Sequence, residues 1–230
     1  VITKHNTNYL DSATNLANAT SGVDGDYEDV TQSGDSTATS PVVVDGNIKT
    51  GRTNLDMVGG EQHMVIGDGV DFDSFTAYFV IKVNDHDDHT NVVFLSGSNG
   101  AHDLYLQKTG GGNDNKWVHE SNNQGLQVTS GTLALADGTS YVMVFTFEKD
   151  GGAVTYRAAA AADDIGDEIS DTSVAGDHPM NIIALSSNVG ANDGAPDHEW
   201  GEVLIYNVVH NAEAQKGIIK ELKKEWGLAY

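Results

Sequence analysis

Residues 199–228, EWGEVLIYNVVHNAEAQKGIIKELKKEWGL, constrain the fold more than any other stretch. Positions 200–209 carry apolar side chains on both parities. Trp200, Leu204, Tyr206 and Val208 fall on one, Val203, Ile205 and Val209 on the other. A strand apolar on both faces has to be covered on both faces. The residues that follow supply one cover. Asn211 is suited to cap a helix, because its side chain accepts from free backbone N–H groups two or three residues on. Glu213 sits in the first turn, where the helix dipole favours an anion. Ala214, Ile218, Ile219, Leu222 and Trp226 share one helical face. Lys216, Lys220, Lys223 and Lys224 are expected off that stripe, towards the end where cations are favoured. Gly227 suits the left-handed conformation that ends a helix. So short a helix is marginal alone in water. The spacing therefore predicts a strand and a closing helix over 211–227 that stabilise each other.

Upstream the chain reads as short strands joined by polar turns. Residues 75–83 alternate: Phe75, Ala77, Phe79, Ile81 and Val83 against Thr76, Tyr78, Val80 and Lys82. Residues 141–147 alternate again, with Tyr141, Met143, Phe145 and Phe147 on one face. Further strands are expected at 42–44, 54–57, 63–66, 92–95, 104–107, 117–118, 126–128, 154–160 and 182–185. Gly- and Asn-rich turns separate them, including Gly59-Gly60 and the hairpin at 148–152. Many short strands with one terminal helix argue for a sandwich. Segment 1–40 is polar, and a free-standing piece of that composition folds weakly. It is expected to pack on the body or extend from it. No repeat or linker divides the chain, so one domain over 1–230 is expected.

Charge narrows the partners. The 230 residues carry 12 basic and 34 acidic side chains, a formal charge of −22. Neutralising phosphates needs clustered Lys and Arg, so nucleic acid and anionic membranes are poor partners. The one basic cluster lies on the closing helix, mixed with Glu221 and Glu225. Strong acidity favours solubility, cation binding or a salty environment, or is a solvated surface with no further role. With no cysteine, disulfides and thiol chemistry are excluded. No apolar run approaches a membrane span, and residues 1–10 lack the apolar core of a signal peptide.

The ending GEVLIYN, a short turn, and a helix closing on KKEWGL are similar to the C-terminal signature of concanavalin A-like lectin/glucanase domains of the laminin-G-like kind. Such domains occur in phage and bacterial surface proteins. Glu202, Tyr206, Lys224, Trp226, Gly227 and Leu228 carry the match, with Glu225 inserted between Lys and Trp. FTAYFVIKV, VVFLSGS, LYLQ, SYVMVFTFEKDGGAVTYRA and NIIALSSN follow the family's strand order, so the resemblance runs from 41 to 228. It implies an all-β, antiparallel two-sheet jelly-roll sandwich with one C-terminal α-helix. It also implies that Glu202 is a buried, hydrogen-bonded structural carboxylate.

Glucanases of that superfamily place Glu-x-Asp-x-x-Glu along one strand, which brings nucleophile and acid/base to one face. That spacing is absent. The nearest group, Asp24, Asp26 and Glu28, lies in a Gly-rich polar stretch and reads as solvated acids. Lyases of the same fold use His, Tyr, Arg and Gln. Arg52 and Arg157 are the only guanidinium groups, and the charge disfavours acidic polysaccharides. Hydrolase-elbow and phosphate-loop patterns are also missing. The expectation is therefore no enzymatic activity.

Two binding chemistries stay open. His86 and His89 with Asp85 or Asp88 have transition-metal ligand types, but their place directly after a strand favours a solvated loop over a metal site. Calcium takes oxygen ligands from loops. Its candidates are Asp24, Asp26 and Glu28, or Asn192, Asp193 and Asp197, and related lectin-like domains bind calcium at one rim. For sugar, Trp117 with His119, Asn122, Asn123 and Gln124 combines an aromatic with hydroxyl-binding side chains. The alternative is a Trp117 buried in the core. The resemblance implies a surface display or recognition module on a virion or extracellular surface. The leading context is a phage structural protein, as capsid decoration, fibre or spike. It would bind glycan or a neighbouring virion or surface protein, with homo-oligomerisation open. The rivals are a glycan-cleaving hydrolase or lyase of the same fold, a bacterial lectin-like adhesion domain, and a structural cement protein.

Overall fold

A computed structural model describes residues 3–6, 30–33, 42–45, 48–49, 53–57, 63–66, 74–85, 91–96, 103–107, 116–121, 125–128, 135–148, 154–160, 165–166, 169–171, 183–185 and 197–228. The strands are β1 (Thr3–Asn6), β2 (Val30–Ser33), β3 (Val42–Asp45), β4 (Thr53–Met57), β5 (His63–Ile66), β6 (Phe75–Asp85), β7 (Asn91–Ser96) and β8 (Asp103–Gln107). They continue as β9 (Lys116–Ser121), β10 (Gly125–Val128), β11 (Thr139–Phe147), β12 (Val154–Ala160), β13 (Ile169–Asp171), β14 (Ile183–Leu185) and β15 (Asp197–Tyr206). One helix, α1 (Ala212–Trp226), follows. The chain is mostly β and its strands pair antiparallel. One set runs in the order β13-β12-β11-β6-β15-β4-β3, with β1 also on β15; the other runs β10-β9-β8-β7-β14-β5-β2.

The strongest alternation becomes the middle of the first sheet. β6 lies between β11 and β15. Phe75, Ala77, Phe79, Ile81 and Val83 are fully buried on one face, Tyr78 and Val80 on the other. β11 repeats the pattern, with Met143 opposite Phe79 and Val144 opposite Tyr78. On the first face Phe75 packs against Phe145 and Phe147, and Phe79 meets Trp200 edge-on at 5.7 Å. On the second face Ile219, Leu222, Trp226 and Leu228 cover Tyr78, Val80, Val142, Val144, Ala159 and Leu204. Each large apolar side chain so buried contributes about 1.5–3 kcal/mol.

The helix forms as its sequence demands. Asn211 adopts an extended backbone, and its side chain accepts from the Ala214 N–H at 3.0 Å. Gly227 closes the other end at φ 66°, with Leu228 N–H donating to Lys223 O and Gly227 N–H to Lys224 O. Lys49 donates to the carbonyl of Glu225, adding a cation at the negative end of the dipole.

Three expectations need correction. Trp200 does not share a face with Leu204 and Tyr206. A bulge at Gly201 shifts the register, so Trp200 faces Ile81 while Glu202 faces Val80. The extra residue turns Trp200 towards the phenylalanines. Lys223 is not off the buried stripe: it is 1% exposed, and Gln215 is buried too. Gln215, Ile219, Leu222, Lys223 and Trp226 recur at the spacing of a single helical face. Finally, β15 stops at Tyr206 rather than 209, because a threonine side chain captures the next backbone groups, as described below.

Three polar strands, β1, β2 and β13, escaped the hydropathy pattern. β1 lies along β15 at 202–205, and β2 pairs with β5.

Candidate functional site

Bulge and helix create a polar seam between sheet and helix. The Trp226 indole N–H donates to Glu202 Oε2 at 2.9 Å, and Glu202 is 3% exposed. This is the structural carboxylate expected from the sequence. Glu199, also buried, forms an ion pair with Lys82 at 3.0 Å. Arg157 Nε donates to Gln215 Oε1 at 2.8 Å, and an Arg157 amino group donates to the Gly166 carbonyl at 3.0 Å. Gln215 Nε2 in turn donates to the His210 carbonyl at 2.8 Å. Glu199, Glu202, Arg157 and Gln215 thus each have a partner, as burial requires.

At the start of the helix the seam becomes aromatic. Tyr78 OH and His210 Nδ1 lie 2.8 Å apart. Tyr206 meets Tyr78 edge-on at 5.8 Å and lies 4.5 Å from the His210 ring. Burial, reinforced by Tyr206, pushes the Tyr78 hydroxyl far above its ordinary range. Burial and then Glu202 raise Tyr206. Burial lowers His210. The Thr76 hydroxyl donates to Val208 O at 2.8 Å and accepts from His210 N–H at 2.9 Å. It takes the place of a ladder partner and ends the strand.

Tyr78 is held as a phenol, Glu202 is an acceptor for the indole, and Glu199 neutralises a lysine. Both carboxylates are engaged by these partners.

The sugar candidates lie elsewhere. Trp117 and His119 are two residues apart on β9, opposite Leu106 and Leu104 of β8. His119 also pairs with Gln127 of β10. Asn122, Asn123 and Gln124 fall between β9 and β10, outside the described residues. So do Asp24, Asp26, Glu28, His86, Asp88, His89, Asn192 and Asp193. Asp197 opens β15 and pairs with Asp85, the last residue of β6. Among the described residues no group of three or more His, Asp or Glu side chains is placed to hold a metal ion. Sequence reasoning missed the Tyr78–His210 contact. Its partners are 132 residues apart, and no local pattern links them.

No protein-family model matches the chain, and no curated protein matches it in sequence. Solved structures do. Domain 4 of an extracellular GH43 arabinanase from Geobacillus stearothermophilus, in complex with arabinotriose, superposes with a TM-score of 0.63 at 15% identity, covering 95% of this chain and 97% of that one. A heptameric pentraxin from Limulus polyphemus gives a TM-score of 0.55 at 9% identity over 83% and 80%. The binding domain of botulinum neurotoxin serotype G gives 0.54 at 11% identity, covering 84% of this chain and 47% of that one. The likeness is one of fold, consistent with a concanavalin A-like jelly roll. Likeness at such identity defines the fold and leaves the ligand open.

Proposed function

We propose that this chain is a concanavalin A-like jelly-roll module that recognises neutral glycans without cleaving them. The observation that carries this reading is the likeness, over nearly the whole chain, to a domain solved with arabinotriose. The commitment of Glu199 and Glu202 to Lys82 and Trp226 supports binding over hydrolysis. In this reading the second set of strands covers the Phe75, Phe79 and Phe145 face of the first, making the two-layer sandwich. That face is buried although α1 lies on the other. Trp117 and His119, with Asn122, Asn123 and Gln124, form the principal sugar site, and any calcium would bind at a rim. The module is displayed on a virion or extracellular surface, a reading that rests on the resemblance of the closing strand and helix to concanavalin A-like domains found in phage and bacterial surface proteins, and works as a monomer or homo-oligomer.

The test is to incubate the whole chain with arabinotriose and a panel of neutral oligosaccharides, measuring both binding and new reducing ends. Saturable binding, weakened by Trp117→Ala and unaccompanied by reducing ends, is expected. Steady release of reducing ends would replace this reading with a glycan-cleaving enzyme. Binding that disappears with chelator and returns with calcium would add the ion.

A further inference from the structure

The closing helix is attached differently along its length. In its second half Ile219, Leu222 and Trp226 are buried in the apolar cluster on the sheet, and the Trp226 indole is tied to Glu202. In its first half, residues 212–218, Gln215 is the buried side chain, and Ile218 only borders the cluster. What holds that half is mainly polar. Gln215 accepts from Arg157 Nε at 2.8 Å and donates to the His210 carbonyl at 2.8 Å. Asn211 accepts from the Ala214 N–H at 3.0 Å, and His210 Nδ1 lies 2.8 Å from the Tyr78 hydroxyl. Gly217 falls where the two halves meet. It is exposed, and a Cβ there would meet nothing within 4 Å. Packing therefore does not call for this glycine, yet it weakens the helix about fivefold relative to alanine.

We propose that the first two turns of α1 form a strap that mild acid releases at His210, pivoting about Gly217 while the second half of the helix stays seated. A neutral imidazole can accept the Tyr78 hydroxyl proton at Nδ1; an imidazolium carries hydrogen on both nitrogens and cannot. Its charge would also stand at the positive end of the helix dipole. The titratable and charged groups on the elements packed around it are Tyr78 on β6, Tyr206 on β15, Glu213 in the first turn of α1, and Arg157 on β12, which reaches its carbonyl through Gln215. Glu213 favours the cation. Burial and the helix dipole oppose it, and the lowered pKa of His210 shows which side prevails. The closed turn thus prefers the neutral ring, and proton uptake favours the open one. The inference concerns the chain's own mechanics and does not depend on which ligand the module takes.

Amide hydrogen exchange of the full chain, read by NMR at pH 7, 6 and 5 and corrected for the pH dependence of intrinsic exchange, tests the release. Protection at 214–218 should fall about tenfold from pH 7 to 5, while that at 222–226 and along β6 holds within about twofold. His210→Gln keeps a neutral side chain throughout and should abolish the fall. Gly217→Ala, at an exposed position, should reduce the opening at pH 5 about fivefold, and it carries the test if His210→Gln does not fold. Unchanged protection at 214–218 overturns the inference. So does a fall shared equally by 222–226 and β6, which is global loosening. A fall that survives in His210→Gln, or an opening that Gly217→Ala leaves untouched, overturns it too.

Discussion

Gly201→Ala tests the seam at its tightest point. A Cβ at position 201 meets three ring carbons of Trp226 at 2.8, 2.9 and 3.0 Å, where ordinary contact begins at 3.4 Å. The ring cannot simply swing away. It is fully buried against the sheet, and its N–H is tied to Glu202, the next residue along the bulge. Relief therefore requires helix and strand to separate by about 0.5 Å, or the indole bond to break, and overpacking of this kind costs about 1–3 kcal/mol. Breaking the bond also leaves a buried carboxylate short of a donor, which places the expected loss near the upper end, about 2–3 kcal/mol. For a chain of this size that corresponds to a fall in melting temperature of about 4–12 °C. Urea unfolding followed by tryptophan fluorescence and far-ultraviolet circular dichroism measures it. In a Trp226→Ala background the same substitution should cost almost nothing, since the clashing ring is gone; the cycle isolates that one contact. A Gly201→Ala protein within about 0.5 kcal/mol of the parent in urea would refute the packing of Trp226 over the bulge.

The remaining predictions use the same measurements. Gly217→Ala, on the exposed side of α1 with nothing within 4 Å of the added carbon, should stabilise the protein by about 0.8–1 kcal/mol, opposite in sign to the same change at 201. Asn211→Ala removes the acceptor for the Ala214 N–H and should cost about 1 kcal/mol, while Asn211→Ser keeps most of the cap. His210 is lowered by burial, so the unfolded chain takes up its proton first as pH falls. Stability should be unaffected by this group above about 6.5, decline as pH drops from there through the lowered folded value, and level off below it. Denaturation at pH 7, 6 and 5 should show a smaller decline for His210→Gln than for the parent; parallel declines would remove His210 from the account.

How much of this was legible beforehand depended on whether the determining contacts were local. Asn211, Glu213 and Gly227 act within a few residues of themselves, so the sequence alone located the helix and both caps. Alternation at 75–83 and 141–147 reports burial directly and identified β6, the middle strand of the first sheet, and its neighbour β11. Trp200 went to the wrong face because strict period two was carried through Gly201. An isolated glycine inside an apolar strand is itself a bulge signal. Lys223 was assigned to solvent by residue type, although its spacing from Ile219 and Gln215 put it on the packed face. β1, β2 and β13 are too short and polar to stand out from turns; their partners select them. The Glu202–Trp226 bond followed from the resemblance only as a buried carboxylate. The Tyr78–His210 pair and the turn it anchors emerge only once β6 and β15 lie side by side.

That adjacency has a consequence for how the protein is made. Lys82 on β6 and Glu199 on β15 are 117 residues apart in the chain. Closing so large a loop carries an entropic cost of about (3/2)RT ln n before any contact rewards it, and such topologies fold slowly. During synthesis β6 and β11 emerge well before the strand that β6 must pair with, and before the helix that covers them. For that interval two of the most apolar strands of the chain lie side by side with an open edge and a bare face. A chain stopped short of residue 197 would remain in that condition and be a natural client for chaperones.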